Sequence, residues 1–246
     1  MKSIGATFLS APIQGNFDAL SVGMKRNLEG PDASRNVKSR VSEEEALKSE
    51  DASGKKDRSG NYEWLVVYNP KIPRSLTIGL LHSFTHENVV CAVKFNPTGT
   101  LLATGSNKVI HLYDVKSGEK IATLVDEESS KATSPEDERF IRSISFSPDG
   151  KLMAAGSEDQ IIRVWDMDTM KIVSRLSGHE QDIYSIEFFN DGKMLASGSG
   201  DRTVRLWDIK EQACISVLYA GSADSSKDSG ITSLAISPNG HFLAAV

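Results

Sequence analysis

The 246-residue chain, with 39% hydrophobic and 25% charged residues, has apolar material for one large all-β domain or two smaller ones. Its net charge of −5 argues against a surface built to neutralise phosphates, and no run of 18 apolar residues is present to make a transmembrane helix. Two cysteines, Cys91 and Cys214, cannot form a disulfide framework, and free thiols suit a reducing, intracellular compartment.

The first fifteen residues carry one Lys and a broken apolar stretch, too poor for a signal peptide. From Asn27 to Gly60 the chain is dominated by Lys, Arg, Glu, Asp, Ser, Gly and Asn. Such a segment cannot bury enough surface to offset its ordering entropy, so residues 1–60 are expected to form a disordered polar arm. After Asn61 the texture changes. Tyr62–Tyr68 alternates as a strand before Asn69-Pro70, and Thr77–Phe84 is a further apolar stretch. These two are expected to pair with the first blade that follows or to be loosely held.

Four segments then align: VVCAVKFNPTGTLLATG at 89–105, FIRSISFSPDGKLMAAG at 140–156, DIYSIEFFNDGKMLASG at 182–198 and GITSLAISPNGHFLAAV at 230–246. Their turn glycines, Gly99, Gly150, Gly192 and Gly240, are spaced 51, 42 and 48 residues apart. A period of about 40–45 residues suits one four-stranded propeller blade, with polar insertions at 126–138 and 221–229 absorbing the excess. Within the third unit, alternation gives a strand from Ile183 and a turn at Asn190-Asp191-Gly192. A return to Gly198, a second turn at Gly200–Thr203 and strands to Trp207 and Tyr219 complete it. A four-stranded sheet of this size cannot bury both faces alone and must stack on its neighbours.

The Gly178-His179 pair, the Trp-Asp pairs at 165–166 and 207–208 and the variant Tyr113-Asp114 resemble the WD40 repeat family. The resemblance implies an all-β propeller with repeats at about 86–124, 137–176 and 179–218 and a partial fourth at 227–246. The domains are then the arm 1–60 and the propeller 61–246. It also implies a structural tetrad, His179, Ser197, Asp201 and Trp207, joined by hydrogen bonds. The second unit has Asp159 and Trp165, but Asp137 at the His position and Ala155 at the Ser position. The first has His86, Thr104 and Tyr113, with Lys108 at the Asp position, so weaker bracing is expected in both.

A hydrolytic reading of His179, Ser197 and Asp201 lacks the G-x-S-x-G elbow and leaves Trp207 without a role. His82, His86 and Cys91 come with no metal-ligand spacing, and no glycine run is followed by Lys-Ser/Thr. No catalytic residue, metal site or cofactor is expected.

The run YEWLVVYNPKIPRSL at 62–76, FIRSISFSPDGKLMAAGSEDQIIRVWD and GHEQDIYSIEFF together resemble the propeller of the fungal Tup-type general transcriptional corepressors, over roughly 61–246. That resemblance implies a nuclear interaction scaffold that docks DNA-bound repressors and histone tails, with a tetratricopeptide-repeat corepressor subunit as a further partner. The net charge and the lack of a long apolar run lead to the expectation of no direct nucleic-acid binding and no membrane. Residues 1–60 carry neither the heptads nor the glutamine-rich tract of that family's oligomerising end. The alternative is a cytoplasmic WD40 scaffold for assembly, signalling or ubiquitin ligation. The last unit stops six residues after Gly240, which suggests a fragment of a longer protein.

Docking in WD40 propellers uses the face that carries the entry to the first strand and the turn between the second and third. Register matching places Tyr184, Arg142 and Cys91 at one position of that face, Asp182 and Phe140 at a second, and Gly200, Glu158 and Asn107 at a third. Aromatic and Arg side chains there suit binding hot spots.

Overall fold

The computed structural model describes residues 4–10, 52–56, 62–69, 71–73, 78–128, 138–219 and 230–246. They fall into two compact units, Ala6–Phe84 and a larger one of Met1–Gly5 with Thr85–Val246. The contact boundary lies between Phe84 and Thr85.

All the named elements are strands. β1 (Ile4–Ser10) pairs with β4 (Gly79–His86), and β2 (Ala52–Lys56) with β3 (Tyr62–Val67). Of the two outcomes expected for β3, pairing with the first blade is thus not the one seen. Its ladder, from Ala52↔Val67 to Lys56↔Tyr62, is made with the polar arm itself. Backbone pairing asks only for an extended partner, whatever its side chains, so Ala52–Lys56 is a strand despite its composition. The proposed helix start at Ser42–Glu45 lies outside the described residues.

The larger unit is three four-stranded antiparallel sheets and a two-stranded fourth. Blade 1 comprises β5 (Ala92–Phe95), β6 (Leu101–Gly105), β7 (Val109–Asp114) and β8 (Lys120–Val125). Blade 2 comprises β9 (Ile141–Phe146), β10 (Leu152–Ser157), β11 (Ile161–Asp166) and β12 (Lys171–Ser177). Blade 3 comprises β13 (Ile183–Phe188), β14 (Met194–Ser199), β15 (Thr203–Asp208) and β16 (Ala213–Tyr219). β17 (Leu234–Ile236) and β18 (Leu243–Ala245) begin a fourth. Gly99, Gly150, Gly192 and Gly240 all have φ between 66° and 73° in the turns predicted for them, a conformation that glycine adopts without cost.

Blades stack through two apolar layers. Met153, Ala155 and Trp165 of blade 2 pack on Ala103, Ile110, Leu112 and Leu124 of blade 1, and Ala154, Ile162, Val164 and Leu176 on the other face of blade 2 meet Leu195 and Trp207 of blade 3. Gly156 closes the second strand because a Cβ there would lie 2.6 Å from Ile183 Cγ2 of the next blade. Gly105 and Gly198 stand in the same relation to Ile141 and Ile231. The innermost strands are further stitched by polar contacts. Ser143 and Ser145 Oγ accept the Ile186 and Phe188 amides at 3.0 and 3.3 Å, while Ser185 Oγ and Glu187 Oε2 accept those of Leu234 and Ile236 at 3.0 and 2.7 Å.

Candidate protein-docking site

The site is a rim at one end of the blades, held from beneath by buried polar chains. In blade 3 the four residues singled out from sequence form one such chain. Trp207 Nε1 donates to Ser197 Oγ at 2.8 Å, Ser197 Oγ lies 2.6 Å from His179 Nε2, and His179 Nδ1 lies 2.8 Å from Asp201 Oδ2. An indole can only donate, so the Ser197 proton goes to Nε2 and the ring proton sits on Nδ1, facing the carboxylate. Asp201 also accepts the Glu180 amide at 3.0 Å and the Thr203 hydroxyl at 2.6 Å. Ser197 is fully buried and already engaged on both sides, so its oxygen is a brace without access to a substrate.

The electrostatics of this chain give a pH dependence. Burial would raise the Asp201 carboxyl, but the donors from Thr203, Glu180 and His179 outweigh it and hold the group at about 2. Burial also lowers His179 below 6.5 and outweighs the pull of Asp201, leaving the ring neutral in the folded state. Both groups bind protons more readily when unfolded. His179 therefore begins to erode stability as pH falls below about 6.5, and Asp201 as pH falls from about 4 toward 2. Denaturant melts at pH 7.5 and 5 are expected to show a loss that is smaller in His179→Gln than in the parent. An equal loss in both would show that His179 does not contribute.

The other two blades solve the same problem differently. In blade 1, His86 Nε2 lies 2.9 Å from Thr104 Oγ1 and 3.2 Å from Tyr113 Oη, and Nδ1 has no partner. The assignment of Lys108 to the Asp position is corrected by strand register. Leu102↔Tyr113, Met153↔Trp165 and Leu195↔Trp207 are equivalent pairs, and the turn between the second and third strands of blade 1 is one residue shorter. Lys108 therefore matches Gln160 and Arg202, all three at positive φ, and Asn107 takes the Asp place. Its Oδ1 instead accepts the Arg139 amide at 2.8 Å, across the blade boundary.

In blade 2 an ion cluster that sequence reasoning missed replaces the tetrad. Arg163 donates to both Asp159 oxygens at 2.9 and 2.6 Å and to Asp126 Oδ2 at 2.6 Å, and Arg175 Nη2 reaches Asp126 Oδ1 at 2.9 Å. Asp126 stands where Gly178 stands before blade 3, and a Cβ at Gly178 would meet Arg205 and Trp207. A side chain at that place necessarily points at the Arg and the aromatic of the third strand. In blade 2, where weaker bracing is expected, a buried guanidinium with two carboxylates occupies the space. The Asp137 position lies outside the described residues.

Above this layer the residues proposed for the rim fall in two sets, one around Arg142 on blades 1 and 2 and one around Tyr184 on blade 3. In β9 and β13 the ladder skips from Ile141 to Ser143 and from Ile183 to Ser185, so Arg142 and Tyr184 are the extra residues of two β-bulges. A bulge re-aims its side chain. Simple alternation would place Tyr184 with Ile186 and Phe188, yet it is 37% exposed while they are buried. Arg142 ion-pairs with Glu158, Nε to Oε1 at 2.7 Å, stacks 5.5 Å over the Phe140 ring and donates to Cys91 Sγ at 3.6 Å. Glu158 Oε2 accepts the Phe140 amide at 3.0 Å. Asn107 bridges to Phe140. On blade 3, Tyr184 Oη donates to Asp182 Oδ2 at 3.4 Å, the Asp182 carbonyl accepts the Gly200 amide at 2.9 Å, and a Cβ at Gly200 would touch the Tyr184 ring.

Repeated four-stranded sheets with a buried His-Ser-Trp chain define a WD40-repeat protein. The family model described as "WD domain, G-beta repeat" matches residues 79–114, 129–166 and 170–208. The third match opens on β12 and the first on β4. The structure of U3-55K and the crystal structure of RRP9 WD40 repeats each align at TM-score 0.52 and 19% identity over 61% of this chain, covering 43% and 42% of theirs, and so support the fold.

Among curated relatives, the General transcriptional corepressor TUP1 of Saccharomyces cerevisiae is 36% identical over 169 residues, 49% of this chain. The General transcriptional corepressor tupA of Dictyostelium discoideum is 40% identical, and the Transcriptional repressor rco-1 of Neurospora crassa 47% identical, each over 121 residues. The chain spans 24%, 20% and 19% of these three relatives. It is a WD40 scaffold homologous to Tup-type transcriptional corepressors.

Proposed function

We propose that the chain is the docking part of a nuclear transcriptional corepressor, and that its bulge rim receives DNA-bound repressors and histone tails without chemistry of its own. One observation carries this reading. At one end of the blades Arg142 links blade 1 to blade 2 through Cys91 and Glu158, and Tyr184 stands 37% exposed at the equivalent bulge of blade 3. A pre-ordered Tyr and Arg give large contact area at little entropic cost. The homology to corepressors supports the choice of partners, and a tetratricopeptide-repeat subunit would join through a segment other than this rim.

A pulldown from nuclear extract with the 246-residue chain is expected to recover sequence-specific repressors and histones. Tyr184→Ala and Arg142→Ala are expected to lose that recovery by about tenfold or more, as hot-spot truncations costing about 2 kcal/mol do, with melting temperatures close to the parent. Recovery of ubiquitin-ligase or signalling subunits instead would favour the cytoplasmic alternative. Unchanged recovery by both variants would reject the rim.

A further inference from the structure

A groove of about 460 Å³ runs between blades 2 and 3 at the end opposite the rim. Its floor is apolar, formed by Leu152, Ile209 and the half-exposed Val173. Ser174 lines it, 3% exposed, and its Oγ has no hydrogen-bond partner within the chain. A buried hydroxyl left unpaired is costly, and native structures seldom leave one without a use. Lys193 and Lys210 stand beside it. The carboxylate there, Asp208, already accepts the Glu211 amide at 2.9 Å, and Lys210 and Glu211 form only a 3.8 Å surface pair.

The neighbouring boundary shows what a closed version of this groove looks like. Between blades 1 and 2 the Ser174 place is held by Ala122 and the Gln212 place by Met170, and both pack on the core. Met170 and Gln212 share a left-handed φ, 55° and 52°, at a turn where blade 1 uses Gly118 at 74°. That strain is offset at Met170 by burial. Gln212 gains only a 3.4 Å contact to the Val173 carbonyl and leaves the space beside Ser174 unfilled.

We propose that this groove is a second docking site, distinct from the rim, and that its occupant is an extended acidic peptide. An apolar side chain of that peptide would enter between Leu152, Val173 and Ile209, with a carboxylate or carbonyl accepting from Ser174 and the flanking acids facing Lys193 and Lys210. The volume lies within the range of specific ligand pockets, about 300–1,000 Å³. In a chain of net charge −5, two lysines over an apolar trough are the complement of such a segment.

The test uses the full chain and a fluorescein-labelled octapeptide with two leucines flanked by glutamates, with the glutamates changed to lysine as the control. Fluorescence anisotropy is expected to show the acidic peptide binding at least tenfold more tightly than the control. Gln212→Met, which copies the closed boundary, is expected to fold as the parent and lose binding. Ser174→Ala, which copies Ala122, should weaken it, and Lys193→Glu with Lys210→Glu should reverse the charge preference. Tyr184→Ala should bind as the parent does, which separates this site from the rim. Equal binding of the two peptides, no binding of either, or full binding by both Gln212→Met and Ser174→Ala would overturn the proposal.

Discussion

Trp207→Ala is expected to cost about 3–5 kcal/mol of stability, the range for truncating a large buried aromatic. Two effects add. The indole is 1% exposed against the blade 2 core, so its removal leaves a cavity that Leu195 and Ile209 cannot fill. Its Nε1 is also the donor that fixes Ser197, and without it the proton order through His179 to Asp201 loses its anchor. Trp165→Ala opens a similar cavity, but the residue at its Ser position is Ala155, so no side-chain hydroxyl is orphaned. Trp207→Ala is therefore expected to exceed Trp165→Ala by about 1–3 kcal/mol, the cost of an unsatisfied buried group. Urea melts of the two variants compare them directly, and equal losses would mean that the polar chain adds nothing to the packing.

Arg163→Met is expected to cost about 3–5 kcal/mol, because it strips the shared cation from two carboxylates that burial keeps from water. Side chains of Arg163, Asp126 and Asp159 are only 5–7% exposed, so little screening reaches them. After the substitution Asp126 keeps Arg175, whose side chain is 39% exposed, and Asp159 keeps the Ile161 amide at 3.3 Å and a 3.8 Å approach from Arg139. Asp126→Gly copies the residue that precedes blade 3 and leaves Arg163 with Asp159, so its loss should be the smaller of the two. A thermal melt in which Arg163→Met matches the parent would show the cluster to be dispensable.

Most of the blade architecture was legible because it rests on patterns that repeat. Turn glycines at 99, 150, 192 and 240, the Trp-Asp pairs and alternation along each strand all reflect local backbone geometry, and the tetrad of blade 3 followed from the family resemblance that these patterns carry. What was not legible depends on single-residue shifts and on contacts between blades. The Asp position of blade 1 moved from Lys108 to Asn107 because one residue is missing from a turn, which counting from Gly99 cannot reveal. Asp126 reads as the first residue of a polar insertion, yet its place at the end of β8 turns it inward toward Arg163. The only trace in the sequence is that Asp159 and Arg163 share the spacing of Asp201 and Arg205. Bulges at Arg142 and Tyr184 likewise break the alternation that strand reading assumes. They lift onto the rim two side chains that strict parity would bury. The groove beside Ser174 shows itself only when Gln212 is set against Met170 at the neighbouring boundary.

The central claim, that the bulge rim is a docking surface carried on a braced stack of blades, is tested most directly by amide hydrogen exchange. The chain would be measured alone and with a repressor recovered from nuclear extract. Protection is expected to rise at 139–142, 158, 182–184 and 200, with 194–199 and 203–208 unchanged because those strands are already held. Protection confined to other surfaces, or none at the rim under saturating partner, would contradict it.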